Sequence, residues 1–131
     1  MMVVAVLLLF VSSGSVVSAQ GGDAAQIKEW REAAERGEAG AQNNLGFAYA
    51  KGQGVAEDDE QAVKWFRKAA EQGDATAQGM LGTMYGGGEG VAEDDVEAVK
   101  WFRKSAEQGD AIAQFTLGYS YYAGLGVAAD D

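Results

Sequence analysis

The densest groups of ionisable side chains are two acidic runs, Glu57-Asp58-Asp59-Glu60 and Glu93-Asp94-Asp95, and they pose the first chemical question. Neighbouring carboxylates can divide acid and base roles or hold a divalent cation. Neither run has the alternating D-x-D-x-D-G spacing of a calcium loop, and both stand where helices begin, so solvated helix starts are expected. The chain has no histidine and no cysteine, which removes the usual neutral-pH base and the thiolate nucleophile. Beyond residue 19 the serines are Ser105 and Ser120, and neither has a histidine to activate it. Gly86-Gly87-Gly88-Glu89-Gly90 resembles a phosphate loop only in composition. It follows a helix pattern instead of a strand, lacks a succeeding Gly-Lys-Ser/Thr, and is expected to be turn punctuation. Trp65 and Trp101 have flat faces that could stack on sugars or bases, but at helical spacing beside Phe66 and Phe102 they are expected in the core. No residue is assigned a catalytic, cofactor-binding or metal-ligating role, and no enzyme activity or cofactor is expected.

What must position these residues is a repeat. Val55–Gly82 and Val91–Gly118 agree at 22 of 28 positions, offset by 36 residues. A fixed period of that size signals a solenoid, in which each unit buries its apolar face only against its neighbours. Twelve of the nineteen glycines occupy four repeated positions: Gly37/73/109, Gly46/82/118, Gly52/88/124 and Gly54/90/126. Proline is absent, which favours uninterrupted helices.

Within the phrase, Asp58–Gln72 has the layout of an amphipathic helix, here called B, opened by an Asp58/Gln61 capping pair and closed at Gly73. Ala62, Val63, Trp65, Phe66, Ala69 and Ala70 gather on one broad face. Asp74 starts a second helix, A, expected to run to about Tyr85, with Ala77, Met80, Leu81, Met84 and Tyr85 as its core stripe. Ala75, Gly79 and Gly82 lie on another side, where a neighbouring helix can come close. Ile27–Gly37 aligns with Val63–Gly73 and puts Trp30 at the Phe66 position and Glu29 at the Trp65 position, as suits an end unit with one wet face. The fold class is therefore all-α: an α-solenoid of antiparallel helix pairs, about three 36-residue repeats and six helices in the order B-A-B-A-B-A. The last phrase breaks off at Asp130-Asp131, which favours a truncated array over a last helix A without its partner.

Residues 1–19 read as a secretory signal: Val3–Val11 is a short apolar run, and Val17-Ser18-Ala19 supplies small residues before Gln20. Cleavage after Ala19 is expected, leaving a linker over 20–25 and the solenoid over 26–131, with its last repeat incomplete. The apolar run is shorter than the ~20 residues that span a bilayer, so no stable membrane anchor remains after cleavage. A secreted or periplasmic location follows. The net charge of −10 argues against nucleic acid, whose phosphates need cationic contacts, and Lys64, Arg67 and Lys68 are interleaved with Glu71. Oligomeric state is left open.

Ala77, Leu81, Gly82, Tyr85, Gly88, Gly90, Val91, Asp94, Ala98, Trp101, Phe102, Lys104, Ala106 and Gly109 fall on a pattern that resembles the Sel-one-like repeat, a relative of the tetratricopeptide repeat. The resemblance covers residues 26–128. It implies right-handed stacking of helical hairpins into a curved solenoid, and adaptors that hold protein or peptide partners on a concave side lined by the A helices. Some secreted bacterial members with disulfide-tied repeats are linked to β-lactam binding; this chain, lacking cysteine, departs from that branch.

Recognition is expected where the repeats differ, since shared positions hold neighbours together. Aligned on helix A, the unlike sets include Asn43/Gly79/Phe115, Asn44/Met80/Thr116, Phe47/Thr83/Tyr119 and Ala50/Gly86/Tyr122. The candidate partner-binding residues are Asn43, Asn44, Phe47, Met80, Thr83, Phe115, Thr116, Tyr119 and Tyr122. Phe115, Tyr119 and Tyr122 are spaced i, i+4, i+7 as one aromatic face, which a partner or a following repeat would cover. The leading expectation is an exported, non-catalytic adaptor or scaffold for a protein or peptide. The alternatives are an envelope enzyme or ligand-binding protein acting on cell-wall material, and a gene fragment without independent function.

Overall fold

The computed structural model describes residues 24–127. The expected signal over 1–19, and the end of the last phrase beyond 127, lie outside the described residues. Six helices follow in order: α1 (Ala24–Glu35), α2 (Ala39–Lys51), α3 (Asp59–Glu71), α4 (Ala75–Gly87), α5 (Asp95–Glu107) and α6 (Ala111–Ala123). Each packs on the next, so the chain is an array of hairpins: B helices α1, α3 and α5, A helices α2, α4 and α6. Ala24 and Ala25, expected in the linker, belong to α1.

Local chemistry sets the boundaries. Asp58 and Asp94 are N-caps that accept from the Gln61 and Glu97 backbone N–H groups at 3.1 Å. Asp74 and Asp110 do the same for Ala77 and Ala113 at 2.8 Å. Glu38 holds the equivalent place before α2 and makes no side-chain cap bond. Part of each acidic run is thus committed to helix initiation. Helix α4 runs past Tyr85 through Gly86 and Gly87, which were expected in the turn. Their carbonyl-end neighbours are satisfied by Gly88, left-handed at φ 65°, whose N–H reaches Met84 and Tyr85, and by Glu89 N–H on the Met84 carbonyl at 2.9 Å. Gly90 then passes so close to α3 that a Cβ there would lie 2.2 Å from the Asp59 carbonyl oxygen.

Two apolar clusters show how the units share their core. Ile27, Ala34, Leu45 and Ala48 of the first hairpin enclose Trp65 of the next B helix. Ala62, Val63, Phe66, Ala69, Ala70, Ala77, Leu81 and Met84 form the second cluster, against which Phe47, Ala50 and Trp101 pack. Phe66 is fully buried, and removing its ring from water contributes about 1.5–3 kcal/mol. Its ring lies against Gly46, where a Cβ would stand 2.6 Å away; Gly82 meets Phe102 the same way at 2.9 Å. The repeated glycine thus marks the crossing of each A helix with the following B helix. Gly118 holds the same place in α6 and has nothing within 4 Å of its Cβ direction.

Candidate partner-binding surface

The shared polar residues fasten helix to helix, both within hairpins and between them. Gln78, 5 % exposed, donates to the Ala70 carbonyl at 3.2 Å and accepts from Gln108 at 2.9 Å. Gln42 repeats this with Ala34 and Gln72. A second series, on a period of 36, joins Arg31 to Tyr49 at 2.9 Å, Arg67 to Tyr85 at 2.7 Å, and Arg103 to Tyr121. Ser105, at the alanine position, donates to the Ala75 carbonyl at 2.8 Å. Sequence reasoning missed these ladders. Their signal was the recurrence of a polar residue on an otherwise apolar side of each helix.

The unlike positions fall in two adjoining registers of the A helices. Asn44, Met80, Thr83, Thr116 and Tyr119 lie on the side where α4 and α6 flank an open cleft floored by Phe102. That cleft has two lobes, of about 360 and 110 Å³. The smaller is lined by Thr76, Met80, Thr83 and Ile112; the larger by Thr83, Thr116 and Tyr119. Thr76 and Ile112 were not among the candidates, although Gly40/Thr76/Ile112 differ by the same criterion. Ile112 is 79 % exposed. Thr83 and Thr116 spend their hydroxyl protons on the Gly79 and Ile112 carbonyls, at 3.0 and 2.9 Å, leaving oxygen lone pairs to accept from outside. Phe47 is half-buried with its ring edge-on to Phe66, centroids 5.1 Å apart, so it serves packing as well as the cleft side.

Asn43, Phe115 and Tyr122 occupy the adjoining register, whose α4 members Gly79 and Gly86 also line the two lobes. Gly79 and Gly86, their register mates in α4, face Ser105 and Ala98 of α5. Asn43 is half-buried against the next unit, and its Oδ1 is closed to solvent without a hydrogen-bond partner. Phe115 and Tyr122, at 79 and 90 % exposure, flank the open Gly118. Tyr119 borders the larger lobe, and Phe115 and Tyr122, within about 60° of it around α6, stand beside it. A further cleft of about 440 Å³ is lined by Val96, Val99, Lys100, Arg103, Lys104 and Val127.

Among the described residues no group of three metal-ligating side chains converges, and no helix is long and apolar enough to cross a membrane.

The Sel1 repeat model matches residues 39–74, 75–110 and 111–131. No curated protein matches the chain. Among solved structures, a protective antigen present in uropathogenic Escherichia coli strains, displaying an SLR fold, is similar at 42 % identity and a TM-score of 0.79 over 81 % of this chain. A Sel1 repeat protein from Oxalobacter formigenes aligns at 47 % identity and 0.69 over 70 %. Helicobacter pylori cysteine-rich protein B aligns at 27 % and 0.67, also over 70 % of this chain and 69 % of its own length. The chain spans only 23 % and 38 % of the first two. With its repeats matched in register by the family model and by structures that share their fold, the chain belongs to the Sel1 repeat family.

Proposed function

We propose that this chain is an exported, non-catalytic scaffold that holds a peptide segment of a partner protein in the cleft between its A helices. The observation that carries the reading is the division of labour along α4 and α6. Repeated residues pack, cap or fasten one unit to the next, while the unlike residues Thr76, Met80, Thr83, Ile112, Thr116 and Tyr119 line an open cleft. That lining is apolar with hydroxyl acceptors and carries two acidic residues, Asp110 in the smaller lobe and Asp95 in the larger. It suits a segment with one or two apolar anchors and N–H donors, and the net charge of −10 favours a basic one. Without histidine or cysteine the cleft has no neutral-pH base or thiolate to turn binding into hydrolysis.

Export rests on the apolar run and small-residue cleavage site of residues 1–19. Mass spectrometry of the exported protein should give an N-terminus at Gln20; an intact Met1 on it contradicts cleavage.

The binding reading is tested by selection from a displayed library of random peptides, followed by titration into wild type and into Thr83→Arg and Tyr119→Ala. Affinity should fall about tenfold or more in each, the order expected for losing a central contact. Unchanged affinity in both, with helicity intact, refutes the cleft as the binding surface.

A further inference from the structure

We propose, resting on the cleft reading above, that the larger lobe is a pocket for one aromatic side chain of the bound peptide, Phe or Tyr, seated against the ring of Phe102. The protein's own preceding groove supplies the pattern. There Phe47 of α2 sets its ring edge-on to Phe66, centroids 5.1 Å apart and planes at 84°, and Met80 and Met84 of α4 complete the packing of that cluster. One repeat on, the floor is kept: Phe102 stands for Phe66, with Ala98 and Val99 for Ala62 and Val63. The three side chains above it are not kept. Thr83 stands for Phe47, Thr116 for Met80 and Ser120 for Met84. The lobe of about 360 Å³ is the space these exchanges leave between α4, α5 and α6, so it arises from residue type within the array.

The walls favour a ring over an aliphatic chain. Ser120, buried, donates its hydroxyl proton to the Thr116 carbonyl at 3.0 Å, as Thr83 and Thr116 donate theirs within their own helices. All three hydroxyls therefore offer an occupant only lone pairs, which suit the positive edge of an aromatic ring or the O–H of a tyrosine. Phe102 is backed by Gly82 at close range, which holds it as a fixed partner for a second ring. The mouth changes in the opposite sense to the interior. Tyr119 and Leu125, 56 and 42 % exposed, stand where the preceding repeat has Thr83 and Glu89, adding apolar surface where the interior has lost it. Pockets that take whole ligands run from about 300 to about 1,000 Å³, so this lobe suits one side chain better than a length of peptide. Asp95 also borders it and makes no ion pair among the described residues, which favours a Lys or Arg next to the anchor.

Peptides selected from a displayed random library against the full chain test this. They should share Phe or Tyr at one position, beside Lys or Arg. Replacing that ring by Leu should lower affinity about two- to tenfold, the contribution of an aromatic pair beyond its area. In the NMR spectrum of the wild-type complex the ring protons should lie close to the Thr83 and Thr116 methyl groups. Thr83→Phe places the chain's own ring in the lobe, as Phe47 lies at Phe66, and should cut affinity about tenfold or more while the melting temperature holds or rises. Thr83→Ser, which keeps both hydroxyl and space, should bind as wild type does. Peptides that lose affinity in Tyr119→Ala yet share no ring, tolerate its exchange for Leu, or bind Thr83→Phe unchanged overturn the aromatic pocket and leave the cleft reading standing. Affinity untouched by both Tyr119→Ala and Thr83→Arg, or a selection without any binder, overturns both. The ring-to-methyl contacts are read in wild type and decide the matter even if Thr83→Phe fails to fold; their absence overturns the pocket.

Discussion

The repeated glycine of the A helices gives one substitution three different outcomes within a single molecule. Glycine to alanine in a helix interior is worth about 1 kcal/mol of added stability from backbone entropy alone. At Gly118 nothing opposes that gain, because the new methyl has no neighbour within 4 Å. At Gly82 the methyl would stand 2.9 Å from two atoms of the Phe102 ring and 3.1 Å from the Ala98 carbonyl oxygen. Phe102 is 7 % exposed, so the ring cannot swing aside into solvent. Overpacking of this kind costs about 1–3 kcal/mol, which outweighs the helix gain and leaves a net loss of up to about 2 kcal/mol. Gly46 is tighter still, with three atoms of the fully buried Phe66 ring at 2.6–2.8 Å, and its alanine should lose the most. Urea unfolding should rank the variants Gly118→Ala, wild type, Gly82→Ala, Gly46→Ala, from most to least stable. A loss of 1 kcal/mol corresponds to about 4–8 °C in Tm for a domain near this size. If Gly82→Ala is as stable as Gly118→Ala, the glycine is not the stacking contact and the reasoning fails.

Three further outcomes follow from the same geometry. Asp74→Ala and Asp110→Ala each remove a side-chain acceptor from a helix start and should cost about 1 kcal/mol, whereas Glu38→Ala, which breaks no cap bond, should be neutral in the same melts. Gln78→Leu takes one partner each from the Ala70 carbonyl, which keeps the Gly73 N–H, and from the Gln108 amide, which keeps the Gly73 carbonyl, and should destabilise by about 0.5–1.5 kcal/mol, with the exposed Gln114→Leu costing less. Tyr85→Phe removes the acceptor of the Arg67 bond and should cost about 0.5–1.5 kcal/mol in the same denaturant series.

Much of the fold was legible because local and long-range signals agree in this chain. Asp58, Asp74, Asp94 and Asp110 mark helix starts by capping chemistry, and each is found capping. Trp65, Phe66 and Leu81 recur at positions that only a packed face explains, and they are buried. The end of α4 was less legible. Three consecutive glycines read as a turn, yet Gly86 lies within α4, its Cβ direction in ordinary contact at 3.8 Å with Ala98 of α5, a neighbour twelve residues on that local propensity does not register. The surface was only half legible for a related reason. Variation between repeats picks out positions free of the shared packing duty, but it does not tell Phe115, whose α4 mate Gly79 lies beside Ser105 of α5, from Tyr119, which lines the larger lobe. Separating them takes the placement of α5 beside α4 and α6. The glutamine and arginine–tyrosine ladders were hidden because their partners lie 8, 18 or 30 residues apart, outside any single helix period.

Methyl-resolved NMR of the chain titrated with a library-selected peptide tests most directly whether recognition resides on the cleft side of the A helices. The Met80, Thr83, Ile112 and Thr116 methyl signals should move together and saturate, while Val96, exposed on α5 away from those residues, stays still. Saturating shifts at Val96 or along α1 and α3, with the four cleft methyls silent, would contradict the account.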